Sequence, residues 1–104
     1  MGPDELLARI RAGTAPVILD VRSRGEFEAG HVPGAIHIPF WSVSNRLQDI
    51  PGAKADPLVV YCGHGPRAWI AGAVLKRRGF TGVTYLEGHM HGWHEAGLPL
   101  SRTR

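Results

Sequence analysis

The chain holds a single cysteine, Cys62, among 104 residues. One thiol cannot form an internal disulfide, which suits a reducing compartment. Lysine is nearly absent, with only Lys54 and Lys76, and the arginines are scattered. Without a dense basic block, no nucleic-acid partner is expected. No run approaches the roughly 18 apolar residues of a membrane span, so no membrane partner is expected either. The start, Met1-Gly2-Pro3-Asp4-Glu5, has two acids and no apolar core, unlike a secretory signal. Repeats, linkers and low-complexity segments are missing too. A cytoplasmic protein of one domain over residues 1–104 is the expectation. A chain this long buries roughly two thirds of its unfolded surface, so it needs no disulfide or metal staple. Its net charge of +3 gives a modest field that attracts small anions.

What is present alternates between two periodicities. Pro3, with acids in the first turn, opens a helix whose apolar face is Leu6, Leu7 and Ile10, and Gly13 stops it. Val17 to Val21 is a short β-branched run, read as a buried strand. Ser23-Arg24-Gly25-Glu26 carries the capping-box pattern and opens a short helix ending near Gly30. Ala35 to Pro39 is a further extended segment, and Ser42 to Ile50 is expected to be helical. Leu58 to Tyr61 is the central strand candidate. Ala68 to Arg78 has the clearest helical pattern, with Ile70, Ala71, Val74 and Leu75 on one face and Gly79 as its cap. Val83 to Leu86 reads as a strand, and Gly88 to Ala96 as a short helical turn. Short strands alternating with helices predict an α/β domain with a mainly parallel sheet. In such sheets ligands sit outside the carboxyl ends of the strands. Asp20-Val21-Arg22, Cys62 to Arg67, and Glu87-Gly88-His89 all map there.

Cys62 leaves an apolar run and is followed by Gly63-His64-Gly65-Pro66-Arg67-Ala68. The sulfur is thus expected at a strand-to-helix turn, over the amino end of a helix. Backbone N–H groups there lack intrahelical partners, and the helix dipole favours an anion. Such surroundings suit a thiolate and pull a cysteine below its free pKa of about 8.5. The other reading is a small buried hydrophobe, which more often falls inside an apolar run than at its exit.

These pieces, in this order, resemble the rhodanese (thiosulfate sulfurtransferase) family over about residues 6–100. Ile18-Leu19-Asp20-Val21-Arg22 resembles its opening strand motif. Glu26-Phe27 with Gly30-His31-Val32-Pro33-Gly34-Ala35-Ile36-His37-Ile38-Pro39 resembles its first signature. Val59-Val60-Tyr61-Cys62 and the following loop resemble its active site. Gly79-Phe80, Leu86-Glu87-Gly88, Gly92-Trp93 and Ala96-Gly97-Leu98-Pro99 resemble its carboxyl-terminal signature. The resemblance implies a five-stranded, mainly parallel sheet flanked by helices on both faces. It implies that Cys62 becomes a persulfide by taking sulfur from a donor such as thiosulfate. A cyanide or thiol acceptor, a thioredoxin or a sulfur-carrier protein then removes it, with ping-pong kinetics. No cofactor is implied.

Within that loop, Gly63, His64, Gly65, Arg67 and Ala68 each carry a backbone N–H able to turn toward the sulfur. Pro66 cannot donate, so it shapes the loop and starts the helix. Arg67 has two open roles, holding the anionic donor or pairing with an acid to brace the loop. Only four residues separate Cys62 from Arg67. Cell-cycle phosphatases and arsenate reductases of this fold resemble a pattern one residue longer, which leaves oxyanion chemistry as the alternative, beside a non-catalytic interaction module. Asp20 and Arg22 are expected to pair and order the loops beneath the site. His64 either supplies charge or only its backbone N–H. His89 stands where the family resembles a second glycine, and so is expected to narrow the pocket. His89, His91 and His94 lack an accompanying acid motif, so no metal site is assigned to them. Trp93 is expected in the core, and Trp69 exposed near the pocket mouth.

Overall fold

The structure is a computed structural model and describes residues 1–102. Helix α1 (Pro3–Ala12) is followed by β1 (Val17–Asp20), α2 (Arg24–Ala29) and β2 (Ile36–His37). Strand β3 (Leu58–Tyr61), α3 (Pro66–Arg77), β4 (Val83–Tyr85) and α4 (His89–Glu95) complete the order. The strands lie side by side as β2-β1-β3-β4, every neighbour parallel. The first four residues of the chain's β-branched run thus pair one for one with Leu58 to Tyr61.

Side-chain alternation along the strands divides the core into two layers. Leu19, Val21, Leu58, Val60 and Cys62 point to one face, where Ala68, Ala71 and Leu75 of α3 cover them. Ile18, Val59 and Tyr61 point to the other, against Leu6 and Leu7 of α1 and Trp93 of α4. Trp93 is fully buried, as expected, and its indole N–H donates to the Pro99 carbonyl. No helix among the described residues is long and apolar enough to cross a membrane.

Two expectations change. The sheet has four strands among the described residues, not five. At the outer edge of β4, the Met1 ammonium donates to the Tyr85 carbonyl and the Met1 carbonyl accepts from the Glu87 N–H, and no strand pairs there among the described residues. Ser42 to Ile50 is not α-helical. Two 3-10 turns, Phe40–Asn45 and Leu47–Asp49, occupy it, broken at Arg46 with φ −127°. Ser42, Val43, Ser44 and Asn45 have weak helix propensity, and short 3-10 pieces are what such a connector adopts. Elsewhere the boundaries move slightly. Helix α3 begins two residues early because Pro66 takes its first position.

The chain leaves β1 toward β2 on one side and leaves β3 toward β4 on the other. The loops after β1 and β3 therefore diverge and leave a crevice at their carboxyl ends, the switch point where such sheets bind ligands. Cys62 lies at that point.

Candidate active site

Strand β3 ends at Tyr61, and Cys62 turns its side chain toward α3. The cysteine is only 1% exposed. Its Sγ accepts the N–H of Gly65, the residue capping α3, at 2.9 Å. Of the five loop N–H groups expected to aim at the sulfur, Gly65 is the one that reaches it. Gly65 adopts φ +135°, and a Cβ there would meet the Trp69 ring at 2.8 Å. Glycine is thus required both by the backbone and by the indole lying over the loop. Trp69 itself is 56% exposed, as expected.

Arg67 pairs with an acid and lies close to the sulfur. It forks onto Glu26, with Nη1 to Oε1 at 2.7 Å and Nη2 to Oε2 at 3.1 Å. Its guanidinium also folds over the loop, since a Cβ on Gly63 would touch Nη2 at 3.1 Å. Hydrogen bonds from Arg67 hold the Glu26 carboxyl down at about 2, against desolvation, which opposes them. The same Glu26 closes the capping box of α2, accepting from the Ser23 N–H and hydroxyl. One carboxylate therefore ties the helix after β1 to the helix after β3 across the crevice. The capping box was readable in the sequence, but the link to Arg67 spans 41 positions and has no local signal.

Asp20 and Arg22 pair as expected. The Arg22 Nε and Nη2 both donate to the Asp20 carboxylate, and the Arg22 backbone N–H adds a third contact. Arg22 Nη2 also donates to the Gly30 carbonyl at 2.6 Å. The Tyr61 hydroxyl donates to Asp20 at 2.7 Å and accepts from the Val32 N–H at 3.1 Å. Burial, and then the Asp20 carboxylate, push the Tyr61 phenol far above its ordinary range. This network fastens the Gly30 to Gly34 loop beneath the site. His31 braces the same loop through Nδ1 and the Phe27 carbonyl, and Phe27 is sandwiched between the rings of His31 and His37.

The remaining histidines diverge. His64 is exposed and stacks on His91, with centroids 4.9 Å apart. His94 lines a cavity of about 300 Å³ with Arg22, Glu26 and Met90, which does not include Cys62. His89 turns inward. It is buried, and its Nδ1 accepts the Cys62 backbone N–H at 3.2 Å. Burial, with a smaller contribution from His64, keeps its pKa below the ordinary value. His89 thus contacts the backbone of Cys62 itself.

The model of the rhodanese-like domain matches residues 2–96. The chain belongs to the rhodanese-like family. This rhodanese-like chain is 34% identical to a sulfurtransferase of Allochromatium vinosum, over 92% of this chain and 89% of that protein. It superposes on the crystal structure of the Alr3790 protein from Anabaena with a TM-score of 0.88 at 28% identity, covering 99% of this chain and 82% of that one. It superposes on the human single-domain sulfurtransferase TSTD1 with a TM-score of 0.80 at 29% identity, covering 91% of this chain and 94% of that one. The family and the names of these relatives support sulfur transfer, in general terms, as the chemistry of the site.

Proposed function

We propose that this rhodanese-like chain is a sulfurtransferase that carries sulfane sulfur on Cys62. The observation that carries the reading is Cys62 Sγ at the exit of β3, held 2.9 Å from the N–H that caps α3. A backbone donor fixed there favours negative charge on the sulfur and, after transfer, on the outer atom of a persulfide. In the first step the Cys62 thiolate attacks the outer sulfur of thiosulfate. A bond forms between Sγ and that sulfur, the S–S bond of the donor breaks, and sulfite leaves with the electron pair. In the second step cyanide or a thiolate attacks the outer sulfur, and the Cys62 thiolate is released.

Burial supports a small donor. With 1% of its surface exposed, Cys62 favours a small donor over a bulky one. Arg67, committed to Glu26, acts by shaping the loop and adding positive charge beside it. The test follows sulfur through both half-reactions. Thiosulfate should convert the protein to a reducible adduct on Cys62, release one sulfite for each adduct, and lose the adduct on adding cyanide. Wild-type protein that forms no adduct and turns over no thiosulfate with cyanide overturns the reading. Hydrolysis of an aryl phosphate, abolished in Cys62→Ser, would replace it with oxyanion chemistry.

A further inference from the structure

The first turn of α4 grips the cysteine loop at three points. The Met90 N–H donates to the Cys62 carbonyl at 2.9 Å, and the His91 N–H to the Gly63 carbonyl at 3.0 Å. In the opposite sense, the Cys62 N–H donates to His89 Nδ1. The two backbone contacts are open to any sequence. The third needs this side chain.

His89 occupies its place at a conformational cost. Its φ is +53°, and among the described residues it is the one non-glycine with positive φ. A left-handed backbone disfavours histidine relative to glycine. The residue is nevertheless buried, with its ring edge-on to Trp69 and centroids 6.5 Å apart. An acceptor at Nδ1 requires that nitrogen to be unprotonated, which puts the proton of the neutral ring on Nε2.

We infer that His89 is a positioning residue for Cys62: its neutral imidazole, protonated on Nε2, holds the Cys62 N–H and so fixes the backbone from which Sγ meets the Gly65 N–H. This deepens the sulfurtransferase reading and rests on it for its kinetic consequence. Without the acceptor, a buried Cys62 N–H is left unpaired beside the reacting sulfur, a condition that costs enough to deform the loop.

The side-chain chemistry suggests a discriminating series. His89→Gly relieves the left-handed backbone and removes the acceptor. His89→Asn tolerates that backbone and places an oxygen where Nδ1 stands. In wild-type protein, nitrogen-15 spectra of the imidazole should show Nδ1 bare and Nε2 protonated, and the Cys62 amide should exchange slowly. His89→Gly should exchange that amide faster and load sulfur from thiosulfate roughly fivefold more slowly. His89→Asn should restore both to within about twofold of wild type. A proton on Nδ1 overturns the inference. So does a glycine variant indistinguishable from wild type in both readouts, or an asparagine variant as impaired as the glycine one. If the wild-type protein takes no sulfur at all, the sulfurtransferase reading fails, while the tautomer and the amide exchange still decide whether His89 holds Cys62.

Discussion

Tyr61→Phe separates a hydrogen-bonding role from a packing role in the residue just before Cys62. Phenylalanine keeps the ring, so the space among Leu6, Val59 and Trp93 stays filled and no cavity opens. Only the hydroxyl goes, and with it two bonds. The Val32 N–H, 3.1 Å from that oxygen, is left buried and without its partner. Such a group costs about 1–3 kcal/mol. Asp20 loses the donor at 2.7 Å but keeps three contacts from Arg22, so its loss is nearer about 1 kcal/mol. Together they predict about 2–4 kcal/mol out of the 5–15 kcal/mol typical of a small domain. For a chain near 100 residues this lowers Tm by about 10–20 °C. Thermal unfolding followed by circular dichroism, with guanidinium unfolding to confirm an unchanged m-value, measures it. A drop under about 3 °C would refute the claim that this hydroxyl is an obligatory partner of the loop.

The ion pair across the crevice behaves differently. Its side chains are 31% and 41% exposed, so Glu26→Gln, which keeps the capping box, should change stability by no more than about 1 kcal/mol while slowing persulfide formation several-fold; equal loading rates would show that the Arg67 brace is dispensable. The Glu26 carboxyl should titrate near pH 2 by NMR and return toward about 4.3 in Arg67→Ala. Because its folded pKa is depressed, the stability it contributes is fully present above about pH 4.3 and is lost as pH falls through about 2; a midpoint near 4 in the wild-type protein contradicts the pairing. Gly65→Ala forces a side chain into φ +135° and into the Trp69 ring, so it should abolish sulfur loading and lower stability by about 1–3 kcal/mol, with Trp69 fluorescence reporting the displaced indole; wild-type loading would count against the loop geometry.

The pattern of elements was legible where a local rule fixed it. The β-branched run at Val17 to Asp20, the Leu58 to Tyr61 strand and the Ser23-Glu26 capping box all form as their residues dictate. Cys62 at a strand-to-helix turn followed from Gly63, Gly65 and Pro66. The failures have physical causes of two kinds. Residues 42–45 carry weak helix propensities, and the segment packs against α3 as 3-10 turns. The fifth strand came from resemblance alone. In the site, the Asp20–Arg22 pair was readable because only Val21 separates its members. Glu26 with Arg67, Tyr61 with Asp20, and His89 with Cys62 join distant positions, and no spacing rule announces them. His89 left one trace, a histidine where the resemblance implied a glycine.

The most direct test of the account is the intact mass of the protein after brief exposure to thiosulfate, with Cys62→Ser alongside. The wild-type chain should gain the mass of one sulfur atom, located on Cys62 and removed by cyanide or dithiothreitol, and the serine variant should gain nothing. An unchanged wild-type mass, or the same gain in the serine variant, contradicts sulfur transfer through Cys62.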